Sequence, residues 1–320
     1  MALADVCPTT ADEAAGSSRP GVSVCVCTYR RPAQLAALIE RLAAQQELPG
    51  IAEMIVVEND AAELARAVVE SACAPFRLHY DVMPVKNISL ARNRSLALAH
   101  CDWIGFLDDD ELPQDDWLAR LHATAVRFGA DGVMGPVLPV LPDTAPEWIR
   151  RGDFFARPRH TTGTPVPLNE LRTGNALIAA SWLRRFDGPF DPADGLTGGG
   201  DNNLLSRLAI AGARFVWCDE AIVSEAVAPE RLSLGWLVRR AYRGGQGWAR
   251  HSQARGFGSG VALGGLRFVA RVAAAMLGAL ALTVVSLPRG RAHWVPWLCR
   301  ASAQAGKLTA LAGHRYEEYR

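Results

Sequence analysis
The sequence predicts an α/β fold, a Rossmann-like mixed sheet flanked by helices, followed by a hydrophobic helical appendage. Three observations carry this. Short apolar runs alternate with amphipathic helical patterns between residues 22 and 110, the βαβαβ signature of a parallel sheet. Each run ends in polar, chemically capable residues. One of them, Trp103-Ile104-Gly105-Phe106-Leu107, stops abruptly at Asp108-Asp109-Asp110-Glu111, which puts four acids at the carboxyl end of a buried strand, the edge where open α/β sheets bind ligands.

Residues 1 to 20 are rich in Ala, Thr, Ser, Asp and Pro without period and are expected to form a disordered leader. Val22-Ser-Val-Cys-Val-Cys27 is the first strand, and Thr28-Tyr29-Arg30-Arg31-Pro32 turns the chain into a helix through Gln45. Met54-Ile-Val-Val57 is the second strand, ending in Glu58-Asn59-Asp60 before a helix near Ala62 to Ser71. Arg77-Leu-His-Tyr80 is the third, and Ser89 to Ala99 is helical before the acid-tipped strand. A further helix starts near Asp115, and Gly132 to Pro136 continues the sheet.

Thr144 to Pro167 reads as a Pro- and Arg-rich loop with Trp148, Phe154 and Phe155, long enough for a lid or a binding surface. Arg172-Thr173-Gly174-Asn175 is a polar turn entering a strand, and Gly198-Gly199-Gly200-Asp201 opens an apolar-periodic helix. Leu232 to Arg250 is helical, with Gly244-Gly245-Gln246-Gly247 expected to break it as a hinge.

The net charge of +1 hides an asymmetry: residues 256 to 320 carry eight Lys or Arg against two Glu, so the preceding part is acidic. Val272 to Leu287 has no charge over 16 residues, about 24 Å as a helix and short of the roughly 30 Å hydrocarbon core. With Trp294, Trp297 and arginines 289, 291 and 300 nearby, it suggests a membrane-seated hairpin on the cytoplasmic face; a helix buried against the α/β domain is the competing reading. The seven cysteines are scattered, mostly in apolar runs and without a secretory signal ahead of them, as expected of reduced thiols. Cys25 and Cys27 lack the paired spacing of a zinc site.

Neighbouring carboxylates repel unless protons or a cation neutralise them, and Mg²⁺ or Mn²⁺ suits oxygen ligands while leaving room for phosphates. The plain alternative is a solvated acidic turn capping the next helix. No Gly-x-Gly-x-x-Gly or Walker loop occurs, which argues against dinucleotide oxidoreductases and P-loop enzymes.

Thr28-Tyr29-Arg30-Arg31-Pro32, Val56-Val57-Glu58-Asn59, Ala91-Arg92-Asn93, Leu107-Asp108-Asp109-Asp110 and Gly198-Gly199-Gly200-Asp201 stand in the order and spacing of family 2 glycosyltransferases. Over residues 22 to 250 the chain resembles that family and its GT-A fold. Asn87 to Asn93, Arg172 to Asn175 and Arg239-Arg240 to Gln246 look most like the glucosyltransferases of succinoglycan-type exopolysaccharide assembly.

The resemblance implies an inverting, metal-dependent transfer of a hexose, glucose from UDP-glucose, onto a lipid-linked saccharide at a membrane surface, with no nucleic-acid partner. It divides the chain into a nucleotide-sugar half (21 to 110), an acceptor half (111 to 255) and a membrane-associated helical region (256 to 320). Asp110 is then the direct metal ligand, and Asp108 holds the ribose side and the metal's water shell. Thr28, Tyr29, Arg30, Glu58, Arg92, Asp109 and Asn175 would contact the nucleotide sugar. For Asp109 a structural position facing away stays open, as does a buried turn role for Asn175. Glu58 replaces the family's usual Asp, and Gly200 replaces its usual Glu. Arg31 reads as a solvated turn residue.

Asp201 suits a helix N-cap, a general base for the acceptor hydroxyl, or both. Gly199 and Gly200 let backbone approach a ligand, and Arg240 and Arg243, three apart on one helical face, suit an acceptor or a diphosphate. A nucleotidyltransferase is the alternative, although Thr28 to Pro32 supplies no phosphate-cradling glycine loop. A non-catalytic carbohydrate- or lipid-binding relative is another.

Overall fold
The computed structural model describes residues 19–45, 50–254 and 261–314; the expected leader lies almost wholly outside them. Strand β1 (Arg19–Thr28) is followed by α1 (Pro32–Ala43), β2 (Ile51–Glu58), α2 (Arg66–Ser71), β3 (Arg77–Val82), α3 (Ile88–Leu98) and β4 (Cys101–Asp108). Pro32 starts α1 because its missing N–H would be unpaired there anyway. Leu35, Leu38, Ile39 and Leu42 form the helix's buried stripe. The acidic turn leads to β5 (Glu111–Pro113), α4 (Trp117–Phe128), β6 (Gly132–Met134) and β7 (Val137–Val140). Gly129 closes α4 in the left-handed conformation that glycine adopts without penalty.

The seven-stranded sheet has the order β3-β2-β1-β4-β8-β6-β9, where β8 is Ala176–Ala179 and β9 is Phe215–Trp217. The first four strands are parallel. β8 runs antiparallel to both β4 and β6, which makes the sheet mixed. One register decides the site: Thr28 lies opposite Glu58, and Cys27 opposite Asp108. The polar ends of β1, β2 and β4 therefore meet at one edge, and the antiparallel entry of β8 delivers Asn175 there too.

The described chain divides into two compact units. The first runs to Val137 and includes Arg159–Pro192 and Leu204–Val223; the second comprises Leu138–Pro158, Ala193–Asn203 and the chain from Ser224. In the first unit, buried residues cover both sheet faces: Val22, Val24, Leu38 and Trp117 on one, Ile55, Phe106, Phe190 and Trp217 on the other.

The second unit contains α5 (Glu147–Gly152), so the predicted Pro- and Arg-rich loop is partly helical. Phe155 packs with Ile149, Val227, Leu237 and Val295, and Trp148 and Phe154 border that cluster. These aromatics serve a core. After α6 (Ala180–Leu183) and α7 (Gly200–Ile210), β10 (Val223–Ala226) leads into α8 (Leu234–Ala254), α9 (Val261–Ser286) and α10 (Arg291–Leu311).

The expected hinge at Gly244 to Gly247 is corrected, because α8 runs through it unbroken. A Cβ on Gly245 would lie 1.9 Å from the Ala303 carbonyl oxygen, and one on Gly306 2.0 Å from that of Tyr242. The glycines are there for close helix crossing. Buried Gln246 seals the crossing by donating to Tyr242 Oη (3.3 Å), Thr309 Oγ1 (3.1 Å) and the His314 carbonyl (3.2 Å).

The 16-residue apolar run also belongs to a longer element. Arg267–Arg289, 23 residues, is the one stretch among the described residues long and apolar enough to cross a membrane, and 11% of its most apolar window is buried. At 1.5 Å per residue it reaches roughly 34 Å. Leu277, Val284 and Val285 are each exposed by more than 60%.

Candidate active site
At the carboxyl edge of β1, β2 and β4 the four acids separate into different roles. Asp108, with a 55% exposed side chain, points outward. Asp109 is buried: one carboxylate oxygen accepts from Thr28 Oγ1 (2.8 Å) and the other from the Arg31 guanidinium (2.9 Å). The same Arg31 nitrogen donates to Asp110 at 2.7 Å. Burial works against the Arg31 charge, but the carboxylates of Asp109 and Asp110 outweigh it and hold the guanidinium above its usual pKa. Two expectations are corrected: Arg31 is the clamp of the acidic turn, and Asp109 with Thr28 is part of the frame.

Glu111 is the organiser that the sequence reading counted only as a fourth acid. It is 1% exposed, and one of its oxygens accepts the backbone N–H groups of Asp108 and Asn175, both at 3.1 Å. Gly174 is required beside it, since a Cβ there would lie 2.7 Å from a Glu111 oxygen. Asn175 is fully buried with φ 53°. Its side-chain oxygen accepts from Trp117 Nε1 (2.7 Å), and its amide donates to the carbonyls of Pro136 (2.9 Å) and Ala221 (2.7 Å). The predicted sugar contact by Asn175 is therefore corrected, because its groups are spent inside the protein. Thr173 Oγ1, also buried, has no hydrogen-bond partner among the described residues.

Glu58 is a further correction. Fully buried, it accepts from the N–H groups of Leu64 (2.8 Å) and Ala65 (2.9 Å) and from Tyr80 Oη (2.6 Å). The longer acid at this strand end seats the loop before α2 instead of facing a base. Asn59 is the residue whose part was missed. It donates to the carbonyls of Met83 and Val85, accepts from Asn87 N, and its own N–H reaches the Thr28 carbonyl. Asn87 in turn caps α3.

The remaining side chains around this edge are cationic and aromatic. Arg92 on α3 lies 3.7 Å from Asp108 and stacks on Phe190 at 5.6 Å. The Tyr29 ring is flanked by Arg30 (5.2 Å) and Lys86 (5.0 Å), the latter unnoticed in the sequence. Arg30 has φ 55° and pairs with Asp60. Cys27, its pKa pushed up to about 12 by burial, is no nucleophile at neutral pH.

Among the described residues no three His, Cys, Asp or Glu side chains converge as a metal cage. Exposed Asp108 and Arg31-paired Asp110 each present a hard carboxylate oxygen, the donor type that suits an ion completing its shell with phosphate oxygens and water.

In the second unit Gly198 (φ 76°) and Gly199 (φ 91°) carry the chain into α7. Because α7 begins at Gly200, Asp201 lies inside its first turn; the N-cap expectation is corrected. Its carboxylate accepts from Asn202 N at 2.8 Å, and an acid there suits the helix dipole. Asp194 braces the glycine turn through its carbonyl, which accepts from Thr197 N and Gly198 N, and through its carboxylate, which accepts from Asn203 Nδ2. Arg240 and Arg243 lie on α8 of the same unit.

The fold matches S. aureus TarS 1-349 solved in complex with UDP, with a TM-score of 0.53 at 18% identity over 93% of both chains, and in complex with UDP-GlcNAc, with a TM-score of 0.54 at 17% identity. At that identity the likeness is one of fold. A mixed sheet with an acid-tipped central strand and helices on both faces is a GT-A fold. Residues 23–184 match the model of glycosyl transferase family 2, and the chain belongs to that family. It is 42% identical to the succinoglycan biosynthesis protein ExoM of Rhizobium meliloti (strain 1021) over 235 residues, 70% of this chain and 73% of that one. It is also 25% identical to glycosyltransferase AglE of Haloferax volcanii over 309 residues, 92% and 97% of the two chains.

Proposed function
We propose that this glycosyltransferase moves glucose from UDP-glucose onto a lipid-linked saccharide, with inversion, at the cytoplasmic face of a membrane in surface-glycan synthesis. The observation that carries the reading is the single sheet edge at which exposed Asp108, Arg31-clamped Asp110 and Arg92 meet in a family 2 chain. The UDP and UDP-GlcNAc complexes of TarS support a nucleotide-sugar donor. The identity with a succinoglycan biosynthesis protein supports an exopolysaccharide-type acceptor.

In this reading Tyr29, Lys86 and Arg30 take the nucleotide, and Arg92 offers its fork to phosphate oxygens. Asp108 and Asp110 hold a divalent ion, which when bound supplies Lewis-acid stabilisation of the departing diphosphate. Asp201 takes the proton of the acceptor hydroxyl as its oxygen bonds to the anomeric carbon and the bond to the β-phosphate oxygen breaks. One displacement with one base inverts the centre. The exposed apolar α9 supports seating in lipid, where the acceptor's tail resides.

The test is donor hydrolysis by the purified full chain against a panel of nucleotide sugars. UDP-glucose is expected to turn over fastest, to stop in EDTA and to resume with Mn²⁺ or Mg²⁺. A different preferred donor would overturn the sugar assignment, and undiminished activity in chelator would overturn the role of Asp108 and Asp110.

A further inference from the structure
In the second unit a charge pattern and a helix arrangement point the same way. From Arg231 to Tyr316 the sequence has thirteen Lys or Arg and no Asp or Glu, a composition that complements an anionic surface. Within that stretch α9 is the strongly apolar element. Val272, Ala279 and Ser286, each seven residues from the next, form its buried stripe. Ala270, Leu277 and Val284, spaced in the same way, stand on the opposite face and are exposed.

Packing sets the direction of α9. The short turn Leu287–Arg289 folds α10 back along it, and α10 packs on both α9 and α8. At the far end of the hairpin Phe268 of α9 stacks on Trp248 at 6.0 Å, and Lys307 of α10 lies over the same ring at 4.3 Å. The two helices therefore stay side by side along their length. α10 in turn runs beside α8: Ser302 Oγ donates to the Val238 carbonyl (2.9 Å), Gly306 lies against the Tyr242 carbonyl, and Thr309 Oγ1 accepts from Gln246 Nε2 (3.1 Å). These pairs advance together along both helices. The start of α10 is fastened too, with Val295 buried beside Ile149 of α5 and Leu237 of α8, and Arg291 over Trp148 at 6.0 Å.

α9 is thus aligned with α8 through α10. A bilayer crossing by α9 would set α8 along the membrane normal as well, and α8 carries Arg239, Arg240 and Arg243 and follows directly on the ion pairs of Glu225 with Arg157 and Arg231. Charges at that depth are strongly unfavourable. A flat helix avoids this: its outer face enters the acyl boundary, while arginines 267, 271, 289 and 291 reach headgroups from its flanks and ends.

We propose that α9 lies in the plane of the membrane, its Ala270, Leu277 and Val284 face sunk into one anionic leaflet, and that the chain holds the lipid surface from one side without crossing it. This rests on the lipid seating of the proposed function and fixes its geometry, against the span that length and composition alone suggest.

The test uses the full chain in nanodiscs assembled from detergent, where either arrangement can form, with no donor present. The fluorescent residue acridonylalanine replaces Ala270, Leu277 or Val284, and phosphatidylglycerol brominated near the headgroup or near the chain end is the quencher. For a flat helix the three positions share one depth, and the shallow bromines should quench all three more strongly than the deep ones. In intact cells a membrane-impermeant maleimide should leave both Arg289→Cys and exposed Cys73 unlabelled, and it should label both after lysis. Leu277→Glu combined with Val284→Glu should cut retention on phosphatidylglycerol vesicles by roughly tenfold or more.

Deep bromines quenching position 277 best while positions 270 and 284 respond to shallow ones would mean a span and overturn the proposal. So would Arg289→Cys labelled in intact cells. Unquenched probes in a chain that sediments as a dimer would give the face to a second copy and overturn it as well. Donor hydrolysis is measured separately: if it is absent while the depth result holds, the glycosyl-transfer reading fails and the flat helix stands.

Discussion
Asn175→Ala separates a role in the fold from a role on the sugar. The substitution strips an acceptor from Trp117 Nε1 and donors from the carbonyls of Pro136 and Ala221, all at 2.7–2.9 Å and in the interior. A buried polar group left unpaired costs about 1–3 kcal/mol. Three such groups in one place do not add fully, so we take about 3 kcal/mol for the set. Asn175 also sits at φ 53°, where asparagine is tolerated and alanine costs about 1 kcal/mol more.

The total, about 4 kcal/mol, corresponds to a fall in Tm on the order of 10 °C. Asn175→Gly should recover the backbone share, about 1 kcal/mol, and none of the rest. Thermal melts of the three proteins measure this, with donor KM determined on the folded fraction. If Asn175→Ala melts within 2 °C of wild type and raises the donor KM, the side chain belongs to the sugar and the reasoning fails.

Asp201→Asn should reduce transfer by roughly 10²–10⁴-fold, the usual worth of a general base, while UDP affinity by calorimetry stays constant; equal turnover in mutant and wild type would reject the base. Glu53 predicts acid sensitivity. Burial would raise its pKa, but the nearby His79 imidazole and hydrogen bonds from Ser23 Oγ and His100 N outweigh that and hold it at about 2 instead of 4.5. Since the folded value is the lower one, this stability is complete above pH 4.5 and is lost as pH falls toward 2, amounting to roughly 3 kcal/mol. Denaturant melts of Glu53→Gln should lose most of the wild-type pH slope in that window, and an identical slope would show that another group sets it. Gly306→Leu drives a side chain into the Tyr242 carbonyl and should cost more than 2 kcal/mol by melting; a neutral result would mean the α8–α10 crossing is not close-packed.

The acid-tipped strand, the helix after Pro32 and the glycine-led helix at Asp201 were legible because each is written in contiguous residues. Periodicity, a proline at a helix start and carboxylates after an apolar run are local signals. The misreadings came where one residue type has two uses. Glycines 244 to 247 looked like a break, yet the helix is held by α10, some 60 residues on. The 16-residue apolar run looked short because only its charge-free part, Val272 to Leu287, was counted, whereas α9 starts at Val261 and continues through Arg267 and Arg271.

The amino-acid order was enough to say that carboxylates end a central strand and that cations follow the first one. It could not say which carboxylate faces outward, because Asp108, Asp109 and Asp110 are chemically identical. The register of β1 on β4 makes that choice. It brings Arg31, 78 residues distant in sequence, onto Asp109 and Asp110, while the antiparallel entry of β8 brings Asn175 against Glu111. Burial and pairing then turn three equal acids into a frame, a clamped carboxylate and an exposed one. These are properties of neighbours that only folding supplies.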